Sequence, residues 1–388
     1  MYMNAEKRLI KAILKESALR TEHDIEIERI LAENSIDWDL FKQLIIYHQL
    51  FPIAYLSLKN SSTSLPPGLI EFLRNSSYYT LQHSYYFWRE FAQIANAFEQ
   101  SAVTLVPIKG IAFLADIYQD ILFRPLVDMD LLVQEADLLK AETILHNLGY
   151  KKELQGLKEQ YWRENQYHIV FSKNNARFKL LVEMHWALDY KRKRRHLLPE
   201  VWQRLRDVQY GGKKIKSLSP EDTLLALALH SRRFGENLCL KNVYDAALLM
   251  RKYGVNFDWD YCLAMAEKYN MRVTLFFLLD QMRFLSGQDI PEYVFNRLNI
   301  PGLRKKIIRR FIAKNTFLMK KLVRRKDIYL KLHFLLYDSV LEPLAYIINI
   351  PSEQFAKFYG LKAYSNKAEF LYRWRLLYIF FKSALNLL

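Results

Sequence analysis

Two aspartates lie inside one apolar run of the sequence, and a glutamate lies inside another. Asp128 and Asp130 flank a methionine in RPLVDMDLLV, and Glu183 occupies the middle of LLVEMHW. On a β-strand, residues i and i+2 point to the same face, so the two aspartates should lie side by side. Ionised carboxylates at that separation repel each other unless a cation lies between them. Oxygen-only ligands of this kind suit Mg²⁺ or Mn²⁺.

If the strand of Glu183 lies beside the strand of the aspartates, the three acids form one cluster. Such a cluster can hold two metal ions about 4 Å apart, an arrangement that promotes in-line displacement at phosphorus. His185 follows Glu183 by two residues and would face the same side, as a satisfied core histidine, a base or a substrate contact. Asp128 and Asp130 could instead cap a strand end, or pair with Arg124 and Lys109 as a structural ion cluster. A zinc site of His168, Glu183 and His185 is a further interpretation, although it lacks a recognised spacing.

Lys109 and Gly110 offer the positive charge that phosphate chemistry requires. They stand where a short β-branched run, AVTLVPI, gives way to a helical pattern. A glycine at such a turn lets backbone N–H groups approach a phosphate, and the following helix points its positive end at it. Arg124 adds charge near the same edge. Gly110 could instead serve only the turn, and Lys109 could be a solvated lysine.

Apolar spacing divides the chain into three parts and predicts an α+β protein with a mixed sheet. Residues 1–100 form an N-terminal helical region, 101–215 an α/β domain and 216–388 a C-terminal helical region, basic beyond 301. The middle part follows the order β-α-β-α-β-β over 102–190. This order predicts a compact domain embedded between two helical regions.

Finer features of these parts are also predicted. A helix from Trp38 through Leu58 should break or bend near Pro52. ILFRPLVDMDLLV is predicted as one strand, and Asn174-Asn175 as the turn of an antiparallel hairpin. Ser219 should cap a helix that begins at a proline.

Three polar residues near these segments are interpreted as structural. Tyr118 is expected in the core, and His230 is expected to pack on its helix. Asp245, within NVYDAALL, is expected to be a surface residue or one that interacts with the helix dipole.

Positive charge is concentrated at one end of the chain. The net charge is +16, and residues 301–388 alone hold 18 basic and 5 acidic residues, a net +13. This region could contact RNA, contact an anionic membrane surface, or form a solvated basic face. A second basic run, KRKRRH at 191–196, follows the strand of Glu183 and could meet an anionic acceptor.

Cysteine usage and hydropathy indicate a cytoplasmic protein. Cys239 and Cys262 form no CxxC motif and suit a reducing compartment. The longest apolar runs are far shorter than the roughly 20 residues that span a bilayer, so no transmembrane segment is predicted.

The motifs KG, Arg124, DMDLLV and VEMHW resemble the nucleotidyltransferase superfamily of DNA polymerase β. More closely, they resemble a bacterial nucleotidyltransferase-like branch with the pattern KG…R…DxDLLV…ExHW. The resemblance covers roughly residues 35–260. It implies a minimal nucleotidyltransferase fold, with Asp128, Asp130 and Glu183 as metal ligands.

The turn departs from the superfamily pattern in two ways. The superfamily usually has Gly-Ser before the helix, where this chain has Lys109-Gly110. Seventeen residues separate Gly110 from Asp128, which is longer than usual there. The missing serine hydroxyl changes how a triphosphate could be held.

The leading hypothesis is a Mg²⁺-dependent (or Mn²⁺-dependent) nucleotidyltransferase that moves NMP from an NTP to an acceptor hydroxyl. Asp128 and Asp130 would chelate the metals, while Glu183 would complete the acceptor-side metal and help to deprotonate the hydroxyl. The phosphates would be held by Lys109, the Gly110 backbone and Arg124. A small-molecule acceptor is favoured, with RNA second. The alternatives are a catalytically silent nucleotide-binding or regulatory module of the same fold, and γ-phosphate transfer by the same metals.

Overall fold

The fold is taken from a computed structural model. It describes residues 3–19, 25–33, 36–118, 124–175, 178–189, 198–232, 240–319, 332 and 334–385. The basic run at 191–196, Cys239 and part of the basic C-terminal region lie outside these residues.

The N-terminal region is helical, as predicted. Its helices are α1 Ala5–Leu19, α2 Ile25–Ala32, α3 Trp38–His48, α4 Phe51–Leu58 and α5 Leu69–Gln100. The break expected near Pro52 is confirmed: Gln49 takes a left-handed conformation after α3, and Pro52 lies in the first turn of α4. Asp37 caps α3, since its side chain accepts hydrogen bonds from the N–H groups of Asp39 and Leu40.

A five-stranded mixed sheet occupies the middle of the chain, which confirms the predicted fold class. Its strands are β1 Val106–Ile108, β2 Met129–Leu132, β3 Lys151–Glu153, β4 His168–Asn174 and β5 Lys179–His185, in the order β1-β2-β5-β4-β3. β2 and β5 run parallel, and the other neighbours are antiparallel. The predicted hairpin of β4 and β5 is confirmed.

The predicted first acidic strand is too long. Only Met129–Leu132 pairs as a strand, and residues 124–128 of the predicted span are not part of it. Pro125 cannot donate a ladder hydrogen bond, which disfavours pairing there. Asp128 therefore lies one residue before the strand, at the end of the loop that leads into it.

Three helices connect the strands: α6 Lys109–Asp116, α7 Leu138–Asn147 and α8 Glu159–Asn165. After β5 come α9 Leu198–Gln203 and a separate hairpin of β6 Arg206–Tyr210 and β7 Lys213–Ser217. This hairpin was not predicted. Its turn residues, Gly211 and Gly212, both have positive φ, as a tight two-residue hairpin turn requires.

The C-terminal region is helical, as predicted. Ser219 caps α10 with its hydroxyl, which accepts a hydrogen bond from Asp222 N, and Pro220 is its first residue. The helices are α10 Pro220–Ser231, α11 Leu240–Tyr253, α12 Trp259–Lys268, α13 Arg272–Ser286, α14 Glu292–Arg297, α15 Gly302–Asn315, α16 Leu341–Ile348, α17 Ser352–Phe358, α18 Asn366–Arg373 and α19 Arg375–Leu385. In the described ranges, no helix is long and apolar enough to cross a membrane.

Two apolar cores cover the faces of the sheet. One contains buried residues of the N-terminal helices, of β1 and of the helices from α10 to α15. The other packs α5 and α7 against the opposite face, with Met129 and Leu131 of β2 fully buried in it. The strand alternation turns Asp130 away from Met129 and Leu131. The three-part division of the chain stays a prediction, since the first core joins both helical regions.

Candidate active site

The pairing of β2 with β5 brings the acidic residues together. In this parallel pair, Asp130 lies opposite Glu183 in the register, so both side chains leave the same face of the sheet. Asp128 precedes Asp130 by two residues, and its carboxylate lies in the electrostatic field of the other two. The two acid-bearing segments are therefore neighbours, which is the condition for one acid cluster. Asp130 is buried, while Asp128 and Glu183 are half-buried.

The pKa of Asp128 shows that the cluster is short of positive charge. Burial, together with the charges of Asp130 and Glu183, raises this pKa to about 7. Lys109 and Lys241 lower it, but not enough to offset those effects. A carboxyl group that stays partly protonated near neutral pH marks a place where a cation would be bound favourably.

Lys109 is the cation in direct contact with the acids. Its Nζ lies 2.5 Å from Asp130 Oδ1, and β1 places Ile108 opposite Asp130. Lys109 begins α6 with φ +53°, a left-handed conformation that costs a non-glycine residue roughly 1–2 kcal/mol. Such strain at a strand-to-helix turn is typical of a functional site.

Gly110 is required by a close approach of Arg124. A Cβ at position 110 would lie 2.6 Å from Arg124 Nη1 and 3.0 Å from Leu126 Cδ2. The first distance is below any normal van der Waals contact, so any larger residue would displace the guanidinium. Gly110 therefore supports the packing of the turn, whatever its part in phosphate binding.

Arg124 forms a buried ion pair with Asp245 of α11. Its Nε and Nη2 donate hydrogen bonds to the Asp245 carboxylate at 2.8–3.1 Å, and Tyr118 Oη donates a further one at 2.9 Å. The expectation that Asp245 lies at a helix surface is wrong, since the residue is fully buried. These contacts tie α11 to the loop before the acids and favour a positioning role for Arg124. Phosphate binding by Arg124 stays a prediction.

His185 bridges two of the acids. Its Nε2 lies 2.9 Å from Asp130 Oδ1 and 3.4 Å from Glu183 Oε2. Burial and the charge of Lys109 oppose its protonation, but hydrogen bonds to Asp130 and Glu183 outweigh them and raise the pKa of His185. Burial alone would raise the pKa of Asp130, yet Lys109 and His185 hold that pKa well below its usual value.

His168 lies beside His185 because β4 and β5 place the two residues opposite each other. The ring centroids are 4.9 Å apart, and His168 Nε2 lies 3.7 Å from Glu183 Oε2. Burial lowers the pKa of His168 to about 4, so the ring is neutral at pH 7. Burial opposes ionisation of Glu183, but His168 and the hydrogen bond to His185 bring its pKa to about 2.

Two residues of the C-terminal helices influence the cluster and were missed as site residues. Lys241 of α11 lowers the pKa of Asp128, and its Nζ donates a hydrogen bond to the carbonyl oxygen of Pro125 at 3.1 Å. His230 of α10 lies within electrostatic reach of Lys109 and Asp130; burial and Lys109 lower its pKa to about 4. Neither residue belongs to a sequence motif. Each lies near the acids only because α10 and α11, which are distant in sequence, pack beside them.

The donor atoms fit a divalent cation. Asp128, Asp130 and Glu183 offer carboxylate oxygens, the ligands that Mg²⁺ and Mn²⁺ prefer. Glu183 also belongs to a group with His168 and His185, whose ligand atoms all lie within 4.8 Å of one another. The residues predicted from the sequence as metal ligands are thus gathered at one sheet face, with Lys109 and His185 in contact with them.

Comparison with protein families gives one match over this region. The model of a family described as "Uncharacterised nucleotidyltransferase" matches residues 34–285, which include every residue of the acid cluster. Comparisons with curated proteins and with solved structures find no match.

Proposed function

We propose a biochemical role from one premise: the chain belongs to the family of uncharacterised nucleotidyltransferases. The role is Mg²⁺-dependent transfer of NMP from an NTP to an acceptor hydroxyl. The observation that supports this role most directly is the parallel pairing of β2 and β5, which places Asp130 beside Glu183.

Asp128, Asp130 and Glu183 would hold the metal. When bound, Mg²⁺ would neutralise the developing charge on the phosphates and lower the pKa of the attacking hydroxyl. The raised pKa of Asp128 supports this assignment, because binding a cation removes the repulsion that keeps this carboxyl protonated.

Lys109 is the residue best placed to reach a phosphate. Its ammonium group now neutralises Asp130, with which it forms a half-buried pair. A metal at the acids would replace Lys109 as the partner of Asp130, which frees the ammonium for a phosphate oxygen. Electrostatic stabilisation of this kind requires a fixed donor in a water-poor site, and Lys109 at the strained turn supplies one.

His185, Arg124 and Asp245 would act on the geometry of the site. His185 holds the carboxylates of Asp130 and Glu183 at a fixed separation. The Arg124–Asp245 pair fixes the loop that carries Asp128. Glu183, with a pKa of about 2, is a weak base, so ligand binding suits it better than deprotonation of the acceptor.

A small molecule is the acceptor class that we favour. A cavity of about 250 Å³, including space open to solvent, lies beside Lys109 between α6 and α10. Its lining is mostly apolar, with Ile108, Phe113, Thr223 and Leu227 among its residues. The enclosed part of this cavity, about 10 Å³, has room for about one water molecule, so a small acceptor would have to bind where the cavity opens to solvent. An RNA acceptor would instead use the basic region beyond 301.

A catalytically silent nucleotide-binding module is the second candidate. Lys109 and His185 already neutralise Asp130 from within the chain, so the fold can hold its acids without a cation. The turn also favours this candidate, because Lys109-Gly110 stands where the superfamily usually has Gly-Ser and so lacks the serine hydroxyl. In this case the chain would bind NTP without transferring any part of it.

The test uses the purified chain with Mg²⁺ or Mn²⁺ and each of the four NTPs labelled at the α-phosphate. Label bound and label transferred to candidate acceptors are measured separately. The key variant is Asp128→Asn/Asp130→Asn. Its matched control is Asp207→Asn/Asp260→Asn, which changes two exposed aspartates outside the site.

The proposal requires metal-dependent binding or transfer that the control retains and the key variant loses. Binding without transfer to any acceptor supports the silent module. Absence of metal-dependent NTP binding in the wild-type chain would refute both candidates.

A further inference from the structure

Two imidazoles and a carboxylate meet at one end of the sheet face. Glu183 and His185 are two residues apart on β5, and His168 lies opposite His185 on β4. Glu183 Oε2 is 3.4 Å from His185 Nε2 and 3.7 Å from His168 Nε2. All three ligand atoms lie within 4.8 Å of one another.

The hydrogen bonding of His168 is incomplete. Only 9% of its side chain is exposed, and its Nδ1 is buried with no partner among the described residues. Its Nε2 points at Glu183, but 3.7 Å is too long for a hydrogen bond. A buried polar group without a partner costs about 1–3 kcal/mol.

Two of the spacings among these atoms are close to those of ligands around one small cation. A tetrahedral ion about 2.0–2.1 Å from each nitrogen or oxygen ligand holds those ligands roughly 3.3–3.4 Å apart. The two distances from Glu183 Oε2 are close to that separation. The two histidine nitrogens lie within 4.8 Å of each other and would move closer together as an ion binds.

The nitrogen donors decide which ions fit. Mg²⁺ prefers all-oxygen coordination and keeps several waters, whereas imidazole suits later transition metals such as Fe²⁺, Ni²⁺, Cu²⁺ and Zn²⁺. We propose that His168, Glu183 and His185 form a mixed nitrogen–oxygen site that binds a divalent transition-metal ion in preference to Mg²⁺. Asp128 and Asp130 then remain for the metal that accompanies the nucleotide.

The binding of this ion is independent of nucleotide chemistry. Its part in catalysis, as the ion on the acceptor side, rests on the proposed function. Metal binding and nucleotide transfer are therefore measured separately, and each can fail without the other.

The first experiment titrates Co²⁺ into the whole, chelator-treated chain without nucleotide, and follows the visible absorption of the bound ion. We expect saturable absorption that Zn²⁺ abolishes and that a roughly hundredfold excess of Mg²⁺ leaves in place. His168→Gln should weaken Co²⁺ binding at least tenfold. His146→Gln, at an exposed histidine of α7, is the matched control and should bind as the wild type does.

A second measurement needs no variant, and so it holds even if His168→Gln fails to fold. Pulsed electron paramagnetic resonance of the Co²⁺-loaded wild-type chain should show coupling to imidazole nitrogen. No nitrogen coupling, displacement of Co²⁺ by Mg²⁺ as readily as by Zn²⁺, or unchanged Co²⁺ binding in a folded His168→Gln chain would each overturn the inference.

Discussion

The buried pair of Arg124 and Asp245 offers a stringent test of how the site is held. The side chains are 6% and 0% exposed, and at least three hydrogen bonds join them. Asp245→Asn keeps the shape of the side chain but removes the buried carboxylate charge that faces the guanidinium. Breaking one partner of a buried pair typically costs about 3–5 kcal/mol, so the free energy of unfolding should fall by that amount.

A double variant separates the interaction energy of Arg124 and Asp245 from the effect of changing either residue alone. Arg124→Met/Asp245→Leu removes both charges, and buried pairs replaced by apolar side chains are often near neutral. We expect the double variant to lose less than about 2 kcal/mol, which is a coupling of several kcal/mol between the two sites. The free energy of unfolding is measured by urea titration, followed by circular dichroism and by tryptophan fluorescence.

An exposed ion pair serves as the control. Lys216 and Asp207 lie 3.0 Å apart with about half of each side chain exposed, so Asp207→Asn should cost less than about 1 kcal/mol. If Asp245→Asn costs no more than this surface variant, the pair does not hold α11 to the acid-bearing loop, and the positioning role of Arg124 is refuted.

Three further predictions concern the site itself. Lys109→Gln should weaken metal-dependent NTP binding by roughly ten- to hundredfold, because it removes one charge-assisted contact worth about 1.5–3 kcal/mol. Calorimetry measures the change in NTP affinity, and an unchanged affinity excludes a contact between Lys109 and a phosphate. Gly110→Ala should lower both the free energy of unfolding and the NTP affinity, because the added Cβ would displace Arg124. The control is Gly302→Ala, which should change neither quantity, because no neighbouring atom lies within 4 Å of the added Cβ. The pKa of Asp128, raised to about 7 from an ordinary 3.8, means that the folded metal-free chain holds a proton that the unfolded chain has lost. The contribution of Asp128 to stability should therefore decline as pH rises from about 4 to 7, and urea titrations should show this decline in the wild type but not in Asp128→Asn.

The local parts of the fold could be predicted from the sequence because they depend on neighbouring residues. The spacing of Asp128 and Asp130, and the apolar setting of Glu183, were enough to predict one acid cluster. Helix caps such as Ser219 could also be predicted, since the cap residue and the following proline are adjacent in the chain.

The long-range partners could not be predicted in this way. Arg124 and Asp245 are 121 residues apart, and no pattern in either segment specifies the other. Asp245 stands in an amphipathic helix, where a charged residue usually faces solvent, so its burial could be known only from the packing of α11. The contact of Lys109 with Asp130 depends likewise on the antiparallel pairing of β1 and β2.

Three further features of the fold could have been predicted from residues that are adjacent in the sequence or in a predicted hairpin. Gly211-Gly212 between two short alternating runs is a hairpin signal, and it marks the β6–β7 turn. The predicted strand over 121–133 ran through Pro125, and that proline should have shortened it. The pairing of His168 with His185 follows from the predicted β4–β5 hairpin once its register is fixed.

The central claim is that the acids joined by the β2–β5 pairing bind a cation together with a nucleotide. The most direct measurement is calorimetric titration of the four NTPs into the wild-type chain and into Glu183→Gln, each with Mg²⁺ or Mn²⁺ and with chelator. The account predicts that NTP binding to the wild type requires the cation and that Glu183→Gln weakens it at least tenfold. Binding that is equally strong with chelator, or equally strong in the folded variant, would contradict the account.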